Sequence, residues 1–227
     1  MLIYPIASVW AIQTPVVYRC LKREYVDNFF KDGELRLSSF KKFRQHPNEK
    51  AKDGMEGILS VVGYHRPSNS HITGIQQAGW HSYILCGTAH NTKEKVNSFD
   101  TDAAIQIFDT TNFGIEIGKQ IGGLRKGIEG FCIYNDGPIE FLLPDDALPH
   151  EILKEADKHA ATGRDDLSHF TNGMETSQTN AVYFKKRPAF QHEMEYRWVW
   201  VTDNREESEI IIKCPSARAF CRPFYCE

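Results

Sequence analysis

Apolar positions along the chain change period several times, and each change marks an element. Residues 16–21 form a short apolar run and predict a strand. Leu21, Tyr25, Val26, Phe29 and Phe30 then recur at helical spacing. Gly33 follows where a left-handed residue stops a helix. Residues 35–40 alternate and predict a returning strand, whereas residues 43–57 are polar and charged, an ordered loop with room for a helical turn.

Residues 58–65, 82–88 and 103–108 predict strands. Phe113, Ile117 and Ile121 predict a helix ended by Gly122 and Gly123. Residues 130–135 and 139–143 resemble a hairpin around Asp136, Gly137 and Pro138. Residues 148–161 read as a helix and 162–179 as a polar loop. Strands at 181–185, 194–202 and 209–214 complete the sheet. With few βαβ units, the expected class is α+β with a mixed or largely antiparallel sheet. No repeat, low-complexity tract or long linker divides the chain, so one domain over residues 1–227 is expected.

Composition narrows the classes. Of 227 residues 41% are hydrophobic and 12% aromatic, enough to offset the entropy of ordering. A net charge of -3 gives no overall pull towards nucleic acid or an anionic membrane, so any phosphate contact needs a local basic patch. No apolar run approaches the ~20 residues of a membrane span, and residues 1–10 lack a basic start and a cleavage site. Cys20, Cys86, Cys132, Cys214, Cys221 and Cys226 are scattered, which points to free thiols in a reducing cytoplasm and to neither a disulfide framework nor a zinc site.

Four segments carry candidate chemistry. In the strand from Met194, alternation places Tyr196, Trp198 and Trp200 on one face with Met194, and Glu195, Arg197, Val199 and Val201 on the other. Glu193 and Glu195 thus stand at the mouth of an apolar strand, where a sheet holds an acid while its end stays open to ligand. The plainer alternative is that Glu195 and Arg197 pair on a wet face, worth ~0–1 kcal/mol. Arg19, within the first strand, can grip a pyrophosphate through its fork or snorkel at the surface. Ser38 and Ser39 can hydrogen-bond a ribose or phosphate, or cap a helix starting near Lys41. Asp53 and Glu56, among glycines, suggest metal or sugar-hydroxyl binding or a solvated turn.

Taken in order, VYRCL (17–21), GELRLSSF (33–40), KDGMEG (52–57), WHSYILCGT (80–88), FDTDAAIQIFD (99–109) and YFKKRPAFQHEMEYRWVW (183–200) resemble the bacterial DUF2971-type proteins, which belong with the ADP-ribosyltransferase-like folds. The resemblance covers residues 16–214. It implies split β-sheets with flanking helices and a cleft for NAD as co-substrate. Arg19 falls at the family's first landmark, Ser38 and Ser39 at the second, and Glu195 at the third, with Glu193 completing a Glu-x-Glu form. Many relatives of this subgroup carry His where Arg19 stands.

The implied activity is NAD-dependent mono-ADP-ribosyl transfer, a glycosyltransferase reaction. Glu195 is expected to stabilise the charge that develops on the ribose, and Glu193 to position or deprotonate the acceptor. Arg19 is assigned to the diphosphate, Ser38 to ribose, and Tyr18 or Tyr83 to stacking on nicotinamide, with a core role as the alternative for both tyrosines. Asp53 and Glu56 are expected to order a loop over the cleft, with Arg44 paired to one of them. Lys185, Lys186, Arg187 and His192 are the expected acceptor-facing residues, the acceptor being RNA, DNA or protein. The resemblance also suggests a toxin or phage-defence effector with an antitoxin or inhibitor protein as partner. Competing expectations are an NAD hydrolase, a non-catalytic nucleotide-binding module, and a nuclease using Asp53, Glu56 and a metal.

Overall fold

The computed structural model describes residues 15–44, 54, 56–77, 81–89, 101–143, 145–146, 149–151, 154, 180–203 and 209–226. β1 (Val17–Leu21) leads directly into α1 (Arg23–Asp32). The helix buries Val26 and Phe29 and leaves Tyr25 in solvent, the one-sided burial that its apolar spacing dictates. Each of those two buried side chains contributes about 1.5–3 kcal/mol. Gly33 stops α1 at φ 79°, its N–H donating to the Phe29 carbonyl at 2.8 Å. β2 (Glu34–Leu37) then leads to Ser38, which bridges Ile84, and to α2 (Phe40–Arg44).

The main sheet adds β5 (Ser82–Thr88), β6 (Ala103–Ile107), β7 (Leu124–Phe131), β11 (Glu195–Thr202) and β13 (Cys221–Tyr225) in the order β13-β6-β1-β5-β11-β7. All its pairings are antiparallel. One face packs α1 and α3 (Thr110–Gly118) through Val17, Phe29, Ile105, Phe113, Trp198 and Trp200. The indoles of Trp198 and Trp200 donate to the Thr110 and Gly114 carbonyls, both at 2.9 Å, so their polar ends are satisfied inside the core. The opposite face packs Ile84 and Val199 against Phe40, Leu59, Val182 and Phe184. β11 is therefore covered on both sides.

Among the described residues three small sheets accompany this one. β3 (Ile58–His65) pairs antiparallel with β4 (Ser70–Gln77) and parallel with β9 (Ile139–Leu142). β8 (Ile133–Tyr134) pairs parallel with β10 (Lys185–Lys186), and β12 (Ile210–Lys213) antiparallel with β2. The class is α+β with mostly antiparallel sheets.

The main sheet nearly opens between β1 and β5. β1 matches β6 over five residues but touches β5 at one register, Tyr18 opposite Thr88. At Gly87 a Cβ would lie 2.5 Å from Val17 Cγ1, so only glycine allows even this approach. Beyond it Ser38 takes over the β5 edge through two hydrogen bonds to Ile84, at 2.7 and 3.1 Å.

Several expectations fail. Residues 130–135 and 139–143 form no hairpin, because β8 and β9 each find a parallel partner elsewhere. Residues 181–185 are not a strand: Ala181–Phe184 is a helical turn, α4, that packs its apolar residues under the sheet. The helix at Phe113 ends at Gly118, before Gly122. β4, β13 and β7 up to residue 129 are strands that periodicity missed, since they carry few apolar residues or lie at edges. Met194 lies outside its strand. Of residues 148–161, positions 149–151 and 154 are helical and the others, like 162–179, lie outside the described residues. No helix among the described residues is long and apolar enough to cross a membrane, and the six cysteines are free.

Gly33 tests the α1–β2 corner. A Cβ there would sit 2.3 Å from the Cys214 carbonyl carbon on a left-handed backbone, so Gly33→Ala should cost about 2 kcal/mol or more in urea unfolding. Gly122→Ala, with open space around it, should stay within about 0.5 kcal/mol of the parent.

Candidate functional site

Arg197 is the centre of the polar cluster. It sits on β11, between β5 and the edge strand β7, shares the Val199 and Val201 face, and is 1% exposed. Its Nε donates to Glu195 Oε1 at 2.6 Å and its Nη1 to the Tyr183 carbonyl at 2.8 Å, while Nη2 pairs with Glu56. One planar fork thus ties the strand to α4 and to the turn before β3.

Glu195, 6% exposed, opens β11. Its second oxygen pairs with Lys186, which also reaches Glu193 Oε2 at 2.6 Å. Cys86 stands directly opposite Arg197 on β5, so its side chain shares this face of the sheet. The Glu195 N–H donates to the Tyr134 hydroxyl at 2.8 Å, and its carbonyl accepts from the Cys132 N–H at 2.9 Å. Met194, just before it, holds φ 42°, a left-handed conformation costly for a side chain of this size. That residue turns the 3₁₀ segment Pro188–Glu193 into the strand.

Burial alone would raise the Glu195 pKa, but the Arg197 and Lys186 charges overcome it and hold the carboxyl well below the usual range. Burial likewise opposes the charge on Lys186, and Glu195, Glu56 and Glu193 reverse that and raise its pKa. Arg197 follows the same pattern, with Glu195 and Glu56 outweighing desolvation. Cys86 is pushed up by burial first and by the Glu195 charge second. Burial also lifts the Tyr134 hydroxyl to about 12. Glu195, Lys186 and Arg197 are therefore all charged at neutral pH.

Arg19 lies at the opening between β1 and β5, its Nη1 donating to the Cys86 carbonyl at 2.9 Å. Its Nε is buried and finds no hydrogen-bond partner among the described residues. Desolvation lowers its pKa, and the charge of Glu195 counters in part. Cys86 lies between the two, its carbonyl accepting from Arg19 and its strand position facing Arg197.

The remaining expected residues divide. Glu193, Glu195 and Glu56 join the cluster, whereas Asp53 lies outside the described residues. Arg44 donates to the Glu56 carbonyl at 2.9 Å. Ser38 stands half-buried at the opening, but Ser39 is buried and caps α2, its hydroxyl accepting from the Lys42 N–H at 3.4 Å. Tyr83 packs in the core on the opposite face of the sheet from Glu195 and does not reach the cluster. The Tyr18 hydroxyl accepts from Gln106 Nε2 at 2.9 Å while its ring packs edge-on to Phe224, a core role. Lys186 is no solvated acceptor contact: its ammonium is taken up by Glu193 and Glu195 and lies over the Phe190 ring. Lys185 donates to the Gly137 carbonyl. Arg187 and His192 remain at the surface.

Phe131, Cys132, Tyr134, Gln191, His192 and Met194 line an open depression of about 590 Å³ outside the mouth of β11. Sequence reasoning missed Arg197 as the hub and also missed Cys86 and Tyr134. The signal for Arg197 was its place among Val199 and Val201, a face too apolar to be wet. No family model, curated protein or solved structure matches the chain.

Removing the hub strands two carboxylates. Arg197→Met should lower unfolding free energy by about 3–5 kcal/mol in urea titration, because Glu195 and Glu56 lose their shared cation in a buried site. The depressed Glu195 pKa contributes stability above the unfolded value of about 4.3, lost as pH falls through the lower folded value. Melting temperature measured from pH 7 to pH 2 should therefore fall more steeply for the parent than for Glu195→Gln.

Proposed function

We propose that the chain is an NAD⁺-consuming mono-ADP-ribosyltransferase with Glu195 as its central carboxylate. The observation that carries this reading is a Glu195 carboxylate held by Arg197 and Lys186 at the strand mouth, near a buried Arg19 whose Nε has no hydrogen-bond partner among the described residues. An ionised carboxylate suits an oxocarbenium-like centre, since it stabilises positive charge on a ribose as the bond to nicotinamide breaks. Arg197 and Lys186 fix its orientation in advance, and each carboxylate oxygen keeps a lone pair able to accept from a ribose hydroxyl.

In this reading nicotinamide leaves with the bonding electron pair and an acceptor nucleophile joins the ribose carbon. Glu193, more exposed than Glu195, receives the acceptor proton, and Lys186 holds the two carboxylates together. Arg19 faces the diphosphate and Ser38 the ribose. The depression beside Gln191 and His192, with Arg187 at the surface, receives the acceptor, whether nucleic acid or protein.

A second reading, a nucleotide-binding module without catalysis, is favoured by one observation: both Glu195 oxygens already have cationic partners. Labelled NAD⁺ incubated with the protein and a lysate separates the two. Label on a macromolecule supports transfer, free ADP-ribose alone supports hydrolysis, and bound but intact NAD⁺ supports the module. Glu195→Gln should lower nicotinamide release at least ~100-fold while the protein still melts cooperatively. Release within a few-fold of the parent would reject the assignment.

A further inference from the structure

A second charged group lies on β2 and the residues that flank it. Arg36 is on β2, and β12 runs antiparallel beside it, with Ile210 opposite Leu37. One step further along that register sets Glu209 across from Ser38, on the same face as Arg36. The Glu209 Oε2 lies 3.9 Å from Arg36 Nε and 3.7 Å from Lys42 Nζ. Charge-assisted hydrogen bonds are ~2.7–2.9 Å long, so this carboxylate sits between two cations without bonding to either. The same oxygen is buried and has no hydrogen-bond partner among the described residues. Arg36 is also close enough to Arg19 to help lower its pKa, after the larger effect of burial.

Two cations thus flank one poorly bonded carboxylate. A buried acceptor left without a hydrogen bond is unfavourable, and a gap of this length on both sides suits a larger anion than carboxylate. We propose that Arg36 and Lys42 form a phosphate seat beside Arg19, occupied by Glu209 in the unliganded protein, and that the phosphate of a nucleotide displaces that side chain. A phosphate offers more acceptor oxygens than a carboxylate and so satisfies the guanidinium and the ammonium together. Glu209, with a third of its side chain exposed, is free to swing outward. The carboxylate then acts as an internal competitor that sets how tightly the phosphate is held. This deepens the nucleotide reading given above but does not depend on turnover.

The test is direct binding of ADP, inorganic pyrophosphate and adenosine to the intact chain by calorimetry at low salt. Glu209→Gln should tighten ADP and pyrophosphate by about fivefold, the effect of one unit charge at ~4 Å in a water-like medium, and leave adenosine unchanged. Arg36→Ala should weaken both phosphate probes by at least as much. Glu140→Gln alters net charge equally at an exposed site on β9 and should leave all three affinities unchanged. Equal tightening by Glu209→Gln and Glu140→Gln, or no binding of either phosphate probe to the parent, would overturn the proposal. ADP binding that depends on Glu209, in a protein that releases no nicotinamide, keeps the seat and removes the transferase. Nicotinamide release with no Glu209 effect removes the seat and keeps the transferase.

Discussion

A guanidinium buried within a β-strand needs acceptors for its nitrogens, and Arg197 finds one for each by drawing in three separate parts of the chain. Glu195 from its own strand, the Tyr183 carbonyl from a helical turn and Glu56 from the turn before β3 all converge on it. Such a group is costly to desolvate, so its acceptors must arrive together. The second core layer, which includes Val182, sets the Phe40 ring beneath the same fork, and this couples the apolar packing on that face to the ionic cluster.

That coupling explains why the cluster is held in place so firmly. Lys186 adds a second cation, and its β10 strand pairs with β8, which brings the Tyr134 hydroxyl to the Glu195 N–H. Three glutamates and two cations make up the cluster, with Arg44 donating to the Glu56 carbonyl at its edge. Preorganised charge of this kind is what electrostatic catalysis uses, and also what a purely structural buried network uses. The difference lies in whether a neighbouring space admits a ligand, and that directs attention to the two openings beside the cluster.

One opening is the depression at the mouth of β11, and the other is the parting of β1 from β5. The parting arises because β1 follows β6 while Ser38 captures the edge of β5. Backbone groups left unpaired by such a split need other partners, and Arg19 supplies one by donating to the Cys86 carbonyl. The Arg19 Nε there has no hydrogen-bond partner among the described residues, and Arg36, on the neighbouring β2, shares Glu209 with Lys42.

Local pattern alone determined much of this protein. The apolar spacing of α1, the glycine at its end, and the spans of β3, β5 and β11 follow from short-range rules, as does the division of β11 into an aromatic face and a face bearing Glu195 and Arg197. Glu193 and Glu195 stood out as paired carboxylates for the same reason. Only tertiary structure decided whether that second face was wet or buried, because burial depends on α2, α4 and β3 arriving from distant parts of the chain. It also turned Lys186 from an expected surface contact into an internal ion, and sent Tyr83 into the core on the other side. Parallel pairing of β8 and β9 with remote strands was equally illegible, since a hairpin and two separate strands share one local pattern. Short-range periodicity specifies which side of an element is apolar; which other element covers it is settled by long-range packing.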